Sequence, residues 1–172
     1  MRAKFYHGST KLQHRWAMSK TNCRILSLQE QDLSAVYQIE QHSYPYPWSP
    51  EQFRQELENP VAAVELCLCG EQLAGYVCYW LIAGELQILN IATSPDFSSK
   101  GIAAKLLSYI FRLCQGKGLD RAWLEVRCSN QAAIALYRKQ GFVDDVVRTG
   151  YYRDGEDALL MVRDFGVSAP QE

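Results

Sequence analysis

Glu125 and Tyr137 carry the chemistry that the sequence suggests first. Glu125 lies in an apolar run, Trp123-Leu124-Glu125-Val126-Arg127, of the kind a strand carries; Tyr137 lies seven residues after Asn130 in a run with helical periodicity. A positioned carboxylate can take a proton from an attacking amine, and a phenol can give one to a leaving group. An earlier stretch, Asn90-Ile91-Ala92-Thr93-Ser94-Pro95-Asp96-Phe97-Ser98-Ser99-Lys100-Gly101-Ile102-Ala103, has the same form: an apolar strand, a short polar turn and a helix starting at the turn. A strand delivered into a helix N-terminus makes an anion site, because unpaired N–H groups and the positive dipole end converge there. Together the two stretches read as a phosphate cradle beside an acid/base pair.

Each of these residues has a plainer reading. Glu125 shares a strand face with Trp123 and Arg127 and could be an exposed carboxylate paired with Arg127. Burial beside an aromatic would raise its pKa, and Arg127 would lower it. A tyrosine on the apolar side of a helix is commonly core with its hydroxyl satisfied. Asn130, two helical turns before Tyr137, faces the same way and could simply end the strand. Cys128 reads either as a nucleophile or as a small apolar filler. Tyr44-Pro45-Tyr46-Pro47-Trp48 reads either as packing under a loop or, with Tyr151 and Tyr152, as one wall of a substrate groove. His7 and His14 sit in the N-terminal region and His42 stands alone, so no serine–histidine–aspartate arrangement is available.

The elements that position these residues follow from periodicity and turn signals. Cys23 to Leu26 reads as a short strand, and Ser27-x-x-Glu30 as the capping box of a helix to about His42. Ser49-Pro50-Glu51-Gln52 starts a second helix, which ends near Asn59-Pro60. Residues 61–69, 73–83 and 85–93 read as a strand meander. Gly101 to Lys117 is a helix with Ile102, Leu106, Ile110 and Leu113 as its core stripe. Arg121 to Cys128 is a strand, Ser129 caps a helix to Gln140, and Gly141 ends it. Residues 142–152 and 158–165 form a closing hairpin. The strand–helix–strand unit from Glu85 to Arg127 requires a right-handed parallel crossover. The fold class is α/β, a mixed central sheet flanked by helices.

At 172 residues the chain is long enough for one substantial core. Residues 21–166 read as a single domain between a disordered tail, 1–20, and a short C-terminal tail, 167–172. The first 24 residues hold six basic side chains and no acid, whereas the remainder holds 12 basic and 19 acidic ones. That acidic body suits a cationic substrate. The tail lacks the apolar core of a secretory signal, and Met18 reads as an alternative start. No apolar run reaches membrane-spanning length. The six cysteines show neither a CxxC pair nor zinc spacing, and read as reduced thiols of a cytoplasmic protein without a metal.

The two stretches resemble the acetyl-CoA-dependent GCN5-related N-acetyltransferase (GNAT) superfamily. Leu124-Glu125-Val126-Arg127, Ser129-Asn130, Ala133-Ile134-Ala135-Leu136-Tyr137 and Gly141-Phe142 are similar to its branch that acetylates a ribosomal protein. So are Tyr44-Pro45-Tyr46-Pro47-Trp48-Ser49 and Tyr151-Tyr152 before Glu156-Asp157-Ala158. The resemblance runs from about Cys23 to Phe165. It implies acetyl transfer from acetyl-CoA by direct attack in a ternary complex, with the N-terminal alanine of a small-subunit ribosomal protein as acceptor. Neither nucleic acid nor membrane is an implied partner. Glu125 would be the base, through a water, and Tyr137 the acid. Ile91, Ala92 and Thr93 would offer backbone groups to the pantetheine and the thioester carbonyl, and Asn130 a side chain to the pantetheine. Ser98, Ser99, Lys100, Gly101, Ile102 and Ala103 would hold the pyrophosphate, while Trp48, Tyr151 and Tyr152 would bind the acceptor. The loop departs from the family's Gln/Arg-x-x-Gly-x-Gly/Ala pattern in having Ser98 first. Other protein N-termini, lysines or small amines are the alternative acceptors. A non-catalytic acyl-CoA-binding module is the alternative of another class, although it would need neither Glu125 nor Tyr137.

Overall fold

The computed structural model describes residues 23–166; the basic tail with Met18 and the C-terminal tail lie outside the described residues. The strands are β1 (Cys23–Ser27), β2 (Ala62–Cys69), β3 (Gln72–Ile82), β4 (Glu85–Thr93), β5 (Arg121–Arg127), β6 (Val143–Arg148) and β7 (Ala158–Asp164). The α-helices are α1 (Leu33–Ser43), α2 (Pro50–Glu58), α3 (Ile102–Gln115) and α4 (Gln131–Lys139). One seven-stranded sheet runs in the order β1-β2-β3-β4-β5-β7-β6. Only the β4–β5 pair is parallel, joined by the expected crossover through α3.

Period-two alternation divides the sheet between two apolar layers. In β3, Val77 and Tyr79 face one layer, with Leu106, Leu107, Ile110 and Phe111 of α3, whereas Tyr76 and Cys78 face Val36 and Ile39 of α1 and Phe53 of α2. The α3 stripe is Ile102, Leu106, Ile110 and Cys114, not Leu113, which is half-buried. Leu106 and Ile110 are fully buried, so truncating either to alanine costs about 2–5 kcal/mol.

Three local expectations are corrected. Ser27 ends β1 and donates to Glu65; the box before α1 is formed instead by Gln29 and Asp32. The cap of α4 is Asn130, whose side chain accepts from the Ala133 N–H at 3.1 Å, not Ser129. Residues 149–157 form a long connection, so Tyr151 and Tyr152 lie in a loop and not on the β6 strand. Ser49 caps α2 in a box with Gln52, as its sequence predicts.

The cysteines also differ from expectation. Cys23 and Cys69 face each other across β1 and β2 and are joined by a disulfide over a sequence separation of 46. Cys67, Cys78 and Cys114 are buried free thiols, and Cys128 is half-buried. Among the described residues no helix is long and apolar enough to cross a membrane.

Candidate active site

Among the described residues, the parallel pair β4–β5 is the one strand pair that comes apart. Its register covers Glu85–Ile88 against Arg121–Leu124 and stops there. A register shift between Cys78 and Tyr79 leaves Leu89 without a partner on β3, while β5 stays paired to β7 as far as Arg127. Such a bulge bends a strand and re-aims its side chains. Beyond Ile88, β4 and β5 therefore enclose a cleft. A cavity of about 580 Å³ opens there, lined by Glu40, Trp48, Asn90, Ile91, Glu125, Tyr137, Tyr151 and Tyr152 among others.

Glu125 and Tyr137 both line this cavity. Arg127, the partner considered for Glu125, turns instead to Asp154 (2.9 Å) and Glu156 (2.6 Å), and its guanidinium covers the Tyr152 ring at 4.0 Å. Glu125 is held by two residues that the sequence did not single out for it. Arg148 donates to Oε1 at 2.5 Å, and the Tyr151 hydroxyl donates to Oε2. Both partners are largely exposed, so an arriving substrate or water can displace either one. Tyr137 is 7% exposed, and its ring packs against Phe142. Burial, and secondarily Tyr152, raises its pKa, so the hydroxyl keeps its proton throughout the working range. Burial also raises Tyr152, to about 12. The phenol is thus both packed and present as a proton donor on the cavity wall. Cys128 does not line the cavity.

The stretch from Asn90 to Ala103 folds as a strand end, a turn and the start of α3. Gly101 is the N-cap of α3, at φ +78°, and no side chain caps the first turn. That leaves the initial N–H groups of a 14-residue helix without a side-chain acceptor, the arrangement that binds phosphate. Ser99 also has positive φ, at 60°. Lys100 does not reach toward the helix end: its ammonium donates to the Asp96 carbonyl at 2.7 Å and lies 5.0 Å from the Phe97 ring. Lys105, one turn into α3, shares a small cavity with Lys100, Gly101 and Ile102. It is a cation that the loop pattern did not reveal. Asn130 uses its side-chain oxygen on α4 itself.

The cavity lining also contains a carboxylate, Glu40, that the sequence reading did not single out. Glu40 is 1% exposed. It accepts from the Trp48 N–H at 2.8 Å, from Asn90 Nδ2 at 3.0 Å and from the Tyr76 hydroxyl. The Tyr44 hydroxyl donates to the Ile91 carbonyl at 2.6 Å, next to the separated part of β4. Trp48 packs on Phe53, and Tyr151 meets Tyr152 edge-on with ring centroids 5.3 Å apart. The cluster at 44–48 is therefore both packing and cavity wall. Glu40 lies on the buried face of α1 with Leu33, Val36 and Ile39, and a charge in that stripe is the one signal the sequence offers.

A mixed sheet opened between two parallel strands, with an uncapped helix N-terminus after the first of them, agrees with the acetyl-CoA-dependent acyltransferase fold that the resemblance implies. The profile of the acetyltransferase (GNAT) family matches residues 33–142, and the chain belongs to that family. It is 36% identical over 140 residues to the ribosomal protein bS18-alanine N-acetyltransferase of Escherichia coli K12, an alignment covering 80% of this chain and 94% of the relative. The crystal structure of the ribosomal-protein-S18-alanine N-acetyltransferase from Escherichia coli superposes with a TM-score of 0.80 at 32% identity, covering 87% of this chain and 98% of that one. The fold also matches the PaiA N-acetyltransferase of Thermoplasma acidophilum in complex with coenzyme A, with a TM-score of 0.71 at 18% identity, covering 84% and 99% of the two chains.

Proposed function

We propose that this acetyltransferase moves the acetyl group of acetyl-CoA to the α-amine of the N-terminal alanine of ribosomal protein bS18. The observation that carries the reading is the cavity at the β4–β5 separation, which Glu125 and Tyr137 both line. The named substrate of relatives that align over most of this chain supplies the acceptor. On this reading the protein works in the cytoplasm, and its partners are a protein N-terminus and the coenzyme.

The residues divide the work as follows. The uncapped turn Gly101–Ala103 binds the pyrophosphate, and the backbone of Ile91, Ala92 and Thr93 lies along the pantetheine. Acetyl-CoA supplies the thioester. Backbone N–H groups freed by the separation face the charge that develops on its carbonyl oxygen. Glu125, once released by Tyr151 or Arg148, takes the proton of the attacking amine through a water. Tyr137 gives its proton to the sulfur as the carbon–sulfur bond breaks. Trp48, Tyr151 and Tyr152 enclose the first acceptor residues.

A peptide panel tests the assignment. Ala-Arg starts should be acetylated on the α-amine well above acidic starts, as located by mass spectrometry. Acetyl groups found mainly on lysine side chains, or on polyamines alone, would replace the acceptor class. Glu125→Gln and Tyr137→Phe should each lower turnover about 10²–10⁴-fold with folding retained. Full activity in either folded variant removes that residue from its role.

A further inference from the structure

We infer that Glu40 is an electrostatic anchor for the acceptor's α-ammonium group, an assignment that rests on the acetyl-transfer reading above. Glu40 is a buried carboxylate on α1, and no cation of the described residues lies within ion-pair distance of it. Burying a charge costs several kcal/mol unless it is compensated. Compensation here comes from three neutral donors: the Trp48 N–H, the Asn90 amide and the Tyr76 hydroxyl. All three are neutral, so none of them is a counter-ion.

Asn90 shows the same excess of acceptors. A carboxylate only accepts, so Glu40 turns the Asn90 NH₂ toward itself and the amide oxygen away. That oxygen is the one buried side-chain polar atom without a partner among the described residues. This part of the cavity lining therefore holds a carboxylate without a counter-ion and, beside it, a buried amide oxygen without a donor among the described residues. Two arginines line the same cavity and leave this charge alone. Arg127 is committed to Asp154 and Glu156, and Arg153 is exposed at the rim.

A ligand that brings N–H donors and positive charge completes such a wall. An α-amine, with an ordinary pKa of about 7.7–8.0, reaches the enzyme mostly protonated near pH 7. Glu125 cannot serve as both arrival site and base without giving up Arg148 or Tyr151 first. Glu40 separates the two tasks. It draws in the ammonium through a low-dielectric wall, where a charge acts farther than in water. Glu125 then removes the proton.

The test couples the charge on the protein to the charge on the ligand. With coenzyme A present to prevent turnover, calorimetry would compare a hexapeptide beginning Ala-Arg with its des-amino counterpart, in which propionyl replaces the first residue. Wild type should bind the amine form at least about tenfold more tightly, and Glu40→Gln should reduce that preference to about twofold or less. Glu40→Gln should also raise the peptide KM while leaving the KM for acetyl-CoA unchanged. A purely structural role would weaken both peptides alike, and an unchanged preference in the folded variant overturns the inference. Should the variant not fold, equal binding of the two peptides by wild type overturns it just as directly. If wild type acetylates no Ala-start peptide, the acetyl-transfer reading fails and this inference with it. If it acetylates them and Glu40→Gln keeps the full preference, the anchor alone fails.

Discussion

Replacing Gly101 by alanine separates the cost of an unusual backbone from the cost of blocking a ligand. Gly101 sits at φ +78°, and a Cβ built there meets no heavy atom within 4 Å. The folded protein therefore opposes the methyl group by conformation alone. A left-handed conformation costs a non-glycine residue about 1–2 kcal/mol. At roughly 2–4 °C per kcal/mol for a domain of this size, the melting temperature should fall by about 2–8 °C. That strain is present with and without ligand, so it cancels in a binding constant. The space around Gly101 is open, and the proposed pyrophosphate would come close to it. Alanine should then weaken coenzyme A at least about tenfold, or 1.4 kcal/mol, beyond anything the strain explains. Thermal denaturation and calorimetric titration on the same protein give the two numbers. A fall in melting temperature with coenzyme affinity within twofold of wild type would refute the cradle at Gly101 and move the phosphates elsewhere.

Two further outcomes follow from contacts that hold the site in place. The Cys23–Cys69 disulfide closes a loop with a sequence separation of 46. Chain entropy for such a loop sets a ceiling of about 4 kcal/mol, so reduction should lower the melting temperature by up to about 8–16 °C. Six reactive thiols instead of four in unfolded, unreduced protein would remove the bond from the account. Glu156 accepts from the Ser129 N–H and from Arg127, and these contacts depress its pKa to about 2. A depressed carboxylate contributes stability above its unfolded pKa of about 4.3, and that contribution is lost as pH falls through the folded value. Urea denaturation should therefore show wild type losing stability between about pH 4.5 and 2 more steeply than Glu156→Gln; identical pH dependence in the two would refute the contact.

What the sequence made legible was local. Ser49-Pro50-Glu51-Gln52 builds its capping box from four consecutive residues, and the Ile102/Leu106/Ile110 stripe needs only helical spacing. The crossover from Glu85 to Arg127 follows from handedness. The errors arise where partners come from distant segments. Arg127 was the nearest cation to Glu125 in sequence, yet Arg148 reaches it from a strand two positions away in the sheet, a pairing that depends on β7 inserting between β5 and β6. Cys23 meets Cys69 only because β1 returns antiparallel to the far end of β2. Neither pairing has a local signature.

Charge counting omits pairings for the same reason, and this bears on the acceptor. Asp144, Asp145, Asp154, Glu156 and Asp157 make the segment from β6 to β7 read as an acidic surface for a basic peptide. In the fold, Asp144 is paired with Arg138, Asp154 and Glu156 share Arg127, and Asp157 accepts from the Gly150 N–H. Two arginines thus offset part of that negative charge, and exposed carboxylates of this kind contribute little outward field in salt. Glu40, in the buried stripe of α1, has three neutral donors and no counter-ion among the described residues. A carboxylate behind a low-dielectric wall is screened less by salt than the exposed carboxylates of the loop. Selection should accordingly be stronger for the α-amine itself than for arginines further along the peptide, and only the latter should fade as salt is raised.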